Sequence, residues 1–207
     1  MSALFLSTFV TLFVIIDPPG CAPIFASLTR DCPPRERRMM AVRSVLIAGG
    51  ILVFFALLGE DLLEVLGIGL PAFRIAGGIM LFLIALEMVF ERRTARREHR
   101  AQEVSATEEV ADISVFPMGI PMIAGPGSIA SVMLLVGRSE GIDQTLVVFA
   151  ALAAVLALTL LALLAAGALM RMLGHRMEAM LTRLLGVLLA ALAVQFVIDG
   201  IAGAISA

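Results

Sequence analysis

The sequence predicts an all-α membrane protein of six transmembrane helices, arranged as two inverted three-helix repeats with helices 1 and 4 broken at mid-membrane. Three observations predict it: apolar residues gathered into long uncharged runs, arginines confined almost wholly to alternate connections, and a matched pair of Pro-Gly clusters near the centres of the first and fourth runs.

The apolar content comes first. Of 207 residues 60% are hydrophobic, with a mean hydropathy of +1.04, which is more apolar surface than a water-soluble domain of this size can bury. Charges collect in short blocks instead of recurring at helical or strand periodicity. Stretches 113–137 and 145–170 carry no ionisable side chain, and each exceeds the roughly 20 residues that cross a hydrocarbon core as a helix. The alternation of a β-barrel strand is missing. The expected spans are 3–28, 39–59, 68–90, 113–136, 144–170 and 180–205, all of them helices, because a span in lipid must satisfy its own backbone groups. The apolar start at Met1, with no basic leader region, is expected to be a retained first span.

All fifteen cations are arginine, and their placement sets the orientation. Arg30, Arg35, Arg37, Arg38 and Arg43 flank the first connection, Arg92, Arg93, Arg96, Arg97 and Arg100 fill the third, and Arg171, Arg176 and Arg183 surround the fifth. The even connections hold only Arg74 and Arg138. The positive-inside rule therefore puts the odd connections in the cytoplasm and both termini outside. The organisation expected is one integral membrane domain: a first repeat over 1–90, a charged cytoplasmic connection over 91–112, and a second repeat over 113–207. The connection reads as a solvated linker, with an amphipathic surface helix or a regulatory contact as the alternatives.

The repeat rests on two landmarks. Asp17-Pro18-Pro19-Gly20 in span one is matched by Gly125-Pro126-Gly127-Ser128 in span four. Arg74-Ile75-Ala76-Gly77 near the start of span three is matched by Arg183-Leu184-Leu185-Gly186 in span six, 54 residues after Gly20 in one half and 56 after Gly127 in the other. A duplicated unit of three spans enters the membrane from opposite faces, which gives an inverted repeat. Arg74 and Arg183 also have a simpler explanation, as snorkelling residues at helix ends.

Proline removes a donor and clashes with the preceding turn, so each cluster should split its span into two half-helices, the later ones beginning at Gly20 and Gly127. Their N-terminal N–H groups would point into the bilayer centre and favour a carboxylate. Asp17, ~2 Å past the centre of span one, is the acid placed deepest, and could meet a substrate ammonium, a proton or Na⁺. The residues assigned to substrate are thus Asp17, Pro18, Pro19, Gly20, Gly125, Pro126, Gly127 and Ser128, with Asp17 as the candidate for ion coupling. The alternative is two kinked, closely packed helices with Asp17 as an N-cap, and Asp17 can serve both ends. Ser7 and Thr11 could line the outer approach or bond back to their own helix. Gln195 is expected to bridge helices, and Glu87 and Asp199 to be solvated at span ends.

Other chemistry finds little support. His99 and His175 lie in polar connections, Tyr and Trp are absent, and no nucleophile-base set or P-loop is present, so no enzyme is expected. Cys21 and Cys32 read as free thiols, and neither a metal site nor nucleic-acid binding is indicated. No cofactor is expected beyond H⁺ or Na⁺ as coupling ion. The partners are a small-molecule substrate and the lipid bilayer, and association into a homo-oligomer is compatible with the sequence.

Three motifs carry a resemblance over essentially the whole chain: Asp17-Pro18-Pro19-Gly20-x-x-Pro23-Ile24-Phe25 with Leu28-Thr29, Arg74-Ile75-Ala76-Gly77-Gly78, and Pro117-x-x-x-Pro121-x-x-Ala124-Gly125-Pro126-Gly127-Ser128-Ile129. In these the sequence resembles the MarC family, the SnatA-type neutral amino acid transporters of the wider LysE-like exporter group. It departs at Pro19, where the family pattern often has Leu or Ile. The resemblance implies a six-helix protein of the bacterial inner membrane that moves a small neutral amino acid such as glycine or alanine. Export of another solute, a cation or drug-like compound, and a non-transporting scaffold that binds a partner through 91–112 are the competing expectations.

Overall fold

The computed structural model describes residues 1–30, 32–90 and 112–206, with the backbone but not the side chains of 169–176, 178, 179 and 206. The connection expected over 91–112 therefore lies, but for Asp112, outside the described residues.

Every regular element is helical: α1 Ser2–Ile16, α2 Pro18–Leu28, α3 Pro34–Val65, α4 Leu70–Val89, α5 Pro126–Val136, α6 Ile142–Leu164 and α7 Ala166–Ser206. Between α4 and α5, residues Ser114–Ile123 form an irregular coil of wide turns. α1 and α2 make one span, and the coil with α5 makes another, bent by 55°. Four spans, each within a single unbroken helix, complete the six.

Two corrections follow. The first half of span four is not an α-helix: Pro117 and Pro121 remove two donors four residues apart, and Phe116 and Ile120, each preceding a proline, are extended. The fifth connection, expected over 171–179, is instead part of α7, which follows α6 after Ala165 alone. Clustered charge does not by itself end a helix, since arginine and glutamate are good helix formers. At 41 residues α7 is ~60 Å long, twice a hydrocarbon core, and only Met180–Ile205 qualifies as its spanning part.

Contacts between distant residues order the two ends of the bundle. At one end Arg43 donates to Asp112 at 2.9 Å, and the Arg37 guanidinium lies 3.5 Å from where a Cβ on Gly167 would stand. This joins the first connection, the end of the third, and the junction of α6 with α7. At the other end Arg138 is ion-paired with Asp199, and Gly200 and Gly203 abut Pro71, which joins the second and fourth connections to the end of the chain. Residues 112–138 therefore run from one end to the other, and the bent pair is a crossing.

α4 and α7 lie antiparallel along a seam of close glycine contacts. A Cβ on Gly78 would stand 2.8 Å from the Ala193 carbonyl oxygen, one on Gly186 3.1 Å from that of Ala85, and one on Gly200 2.9 Å from that of Pro71. Small residues give membrane helices this backbone approach, and dispersion then holds them. Around the pair, α1 and α2 pack on α6 as the coil and α5 pack on α3, α6 crosses α3, and α1 meets α5. Exchanging the first three spans for the last three maps these principal pairings onto themselves. Two buried cores result. One takes Leu12, Ile16, Cys21, Ala22, Ile123, Ala124 and their neighbours in α3 and α6, and the other takes Val14, Ile15, Leu81, Leu134, Leu189 and Phe196.

Candidate functional site

The first break is one residue wide. Asp17 is left-handed, at φ 59° and ψ 64°, a conformation that Asp and Asn adopt more readily than other non-glycine residues. Its N–H donates to Phe13 at 2.9 Å and so ends α1, while its carbonyl accepts from Cys21 at 3.0 Å and so begins α2. The carboxylate caps α2 by accepting the Gly20 N–H at 3.1 Å. With that donor diverted, the Ile16 carbonyl accepts instead from the Cys21 thiol at 3.5 Å. Pro18 and Pro19 have no N–H for the carbonyls of Val14 and Ile15, which therefore lack a donor four residues on. Asp17 is 1% exposed, so a carboxylate sits deep in the bundle beside the carbonyl end of α1. Gly20 is required here, since any Cβ would stand on that carboxylate, 2.7 Å from its Cγ.

At the second break Gly125 is the extended N-cap of α5 and Pro126 its first residue. The Gly125 carbonyl accepts from Ile129 at 3.0 Å, and no side chain caps the turn. Gly127 and Ser128 are buried, so their N–H groups present a helix N-terminus inside the protein. Close packing again fixes glycine: a Cβ on Gly125 would stand 2.5 Å from the Pro121 carbonyl oxygen, and one on Gly127 2.7 Å from Ile84 Cδ1.

The two breaks come together. The Gly127 position lies 3.5 Å from Ile15 Cγ2 and 3.2 Å from Leu81 Cδ2, a residue ~2 Å past the middle of α4. Ile16, Cys21 and Ala22 share a core with Met122, Ile123 and Ala124. Of the eight residues assigned to substrate, Asp17, Pro18, Gly20, Gly125, Gly127 and Ser128 are buried, Pro19 is half-buried, and Pro126 is exposed. The half-helices begin at Pro18 and Pro126, not at Gly20 and Gly127, because proline fits the first helical position, where no N–H is needed.

The other polar residues divide between expectation and departure, Ser7 bonding back to its own helix as expected. Ser7 is exposed and bonds back to Leu4, while Thr11 is buried. Thr8 on α1 and Ser131 on α5, both fully buried, have hydroxyls without a hydrogen-bond partner among the described residues. Sequence reasoning missed both, since a helix apolar on every side does not show which face is inside. Gln195 does not bridge helices: it donates within α7 to Asp199 at 2.7 Å. Asp199 also holds Arg138, whose guanidinium lies 4.8 Å from the Phe196 ring centroid, so it is a structural ion-pair member and not simply solvated. Among the described residues no cluster of His, Cys, Asp or Glu could hold a metal ion.

The sequence has clear relatives. Residues 2–205 match the family described as MarC family integral membrane protein. A UPF0056 membrane protein of Methanocaldococcus jannaschii is 39% identical over 97% of both chains. The UPF0056 membrane protein YvbG of Bacillus subtilis is 34% identical over 98% of this chain and 96% of its own. The UPF0056 inner membrane protein YhgN of Escherichia coli K12 is 35% identical over 95% of each. No solved structure matches. With the family matched from end to end, and with two mid-bundle breaks built on Asp17-Pro18-Pro19-Gly20 and Gly125-Pro126-Gly127, the chain belongs to the MarC family of integral membrane proteins.

Proposed function

We propose that this protein is a secondary transporter of a small neutral amino acid across the bacterial inner membrane, with both termini outside. The observation that carries the proposal is the pairing of a buried Asp17 with the buried N-terminus of α5, which no side chain caps, in one packed region at mid-bundle. The two ends complement a zwitterion. The α5 N–H groups receive its carboxylate, and Asp17 with the carbonyl end of α1 receives its ammonium. Pro-Gly backbone and the small Ala22, Ala124 and Ser128 restrict the side chain to a small one. Asp17 is also the residue through which H⁺ or Na⁺ would couple. The arginine asymmetry supports the orientation, and the helix pairing that survives exchange of the halves supports an inverted repeat with the site on its axis.

The test is flux into proteoliposomes containing the purified protein, with glycine, alanine, serine and threonine offered separately at several pH values and with or without Na⁺. Uptake or counterflow of at least one, together with its thermal stabilisation of the protein, is the expected result. Absence of both across the panel would sink the proposal.

A further inference from the structure

A second site lies away from the breaks, at the arginine-rich end of the bundle. A cavity of about 450 Å³ is lined by Phe25, Thr29 and Arg30 at the end of α2, by Cys32, by Pro34, Arg37 and Arg38 in the first turns of α3, and by Leu164 at the end of α6. Phe25 and Thr29 are buried and form its floor, and the Arg37 guanidinium lies 5.9 Å from the Phe25 ring centroid. Thr29 donates its hydroxyl proton to the Phe25 carbonyl at 2.7 Å, which leaves the arginines as the side-chain donors on this lining. Among the described residues no acid pairs with Arg30, Arg37 or Arg38, and Glu36, in the same turn of α3, is exposed and does not line the cavity. The first turn of α3 has no side-chain cap, and its N-terminus adds positive potential. The carbonyl ends of α2 and α6 reach the same region, but each counts for about half a negative charge, well short of three guanidiniums.

We propose that this cavity binds a phosphate group, presented by an anionic phospholipid headgroup of the adjoining leaflet or by a free phosphate-bearing solute. Three arginines on one cavity lining supply more donors and charge than a single carboxylate would need, and they suit the oxygens of a phosphate. Thermal unfolding of the purified protein tests it with two probes. One is inorganic phosphate against chloride at equal ionic strength in dodecyl maltoside. The other is a phosphatidylcholine nanodisc with and without phosphatidylglycerol. Stabilisation by inorganic phosphate assigns a solute, and stabilisation by phosphatidylglycerol alone assigns a headgroup. In either case Arg37→Gln weakens the response roughly tenfold, Arg37→Lys restores part of it, and Arg35→Gln, which removes a charge outside the cavity, leaves it intact. Arg30→Gln, at an exposed position that cannot disturb the core, reports the same loss should Arg37→Gln fold poorly. The proposal is overturned if neither probe stabilises the wild type, or if Arg35→Gln lowers the response as much as the cavity variants do.

Discussion

Replacing Asp17 separates its two roles, because the substitutions that keep the fold differ from those that keep the charge. Asparagine caps helices as well as aspartate and tolerates the left-handed conformation, so Asp17→Asn retains an oxygen for the Gly20 N–H and should change stability by less than about 0.5 kcal/mol. Alanine loses the cap, about 1 kcal/mol, and is strained at φ 59°, about 1–2 kcal/mol more, so Asp17→Ala should be less stable by about 2–3 kcal/mol. Unfolding in micelles ranks the three proteins, and proteoliposome flux of the best substrate follows for those that fold. If the carboxylate meets a substrate ammonium or a coupling ion, Asp17→Asn keeps its stability and loses flux by at least about tenfold, the scale of truncating one member of a buried charge pair. A folded asparagine variant with wild-type flux would refute the reasoning and leave Asp17 as a helix cap.

Three further outcomes follow from the geometry. Gly78→Ala, whose Cβ would stand 2.7 Å from Val197 Cγ2 and 2.8 Å from a backbone oxygen, should destabilise by about 1–3 kcal/mol, whereas Gly50→Ala, with nothing within 4 Å, should be neutral or stabilising by up to about 1 kcal/mol; equal melting temperatures would contradict the seam. A membrane-impermeant maleimide should label the half-buried Cys32, and not the buried Cys21, in inverted vesicles while sparing intact cells, and labelling of intact cells would reverse the orientation. Ser114, donating through its hydroxyl and N–H, and then Arg43, hold the Asp112 carboxyl below its ordinary value of 3.8, against a smaller opposing effect of burial. Its folded value being the lower one, this contact stabilises fully above the ordinary carboxylate range and is lost as pH falls through the depressed value, so Asp112→Asn should flatten the acid limb of a stability profile.

The spans were legible because hydrocarbon is an uncompromising solvent: uncharged runs and arginine blocks located six crossings and predicted which connections share an end. Asp17-Pro18-Pro19-Gly20 and Gly125-Pro126-Gly127 marked the breaks for the same reason, since their backbone chemistry does not depend on neighbours. What failed depended on neighbours or on weaker local rules. Pro117 and Pro121 were visible as a motif, but an apolar run of span length outweighed them, and the coil they form holds its place by packing on α3. Thr8 and Ser131 could not be distinguished from Ser7, because the lipid-facing and protein-facing sides of these helices are alike in composition. The paired charges of Arg138 and Asp199 lie 61 residues apart in sequence, and only the fold brings them together.

The division into two cores gives the end of α1, at the left-handed Asp17, a mechanical meaning. Val14 and Ile15 belong to the core built on α4 and α7, while Leu12, Ile16 and Cys21 belong to the core built on α3 and α6. Any sliding of one core against the other must be absorbed by the chain where it passes between them. That passage lies within α1 itself, where Leu12, Val14, Ile15 and Ile16 alternate between the cores, so the helix clamps the two together, and the left-handed Asp17, with its carboxylate on Gly20, is where the clamp ends and α2 begins.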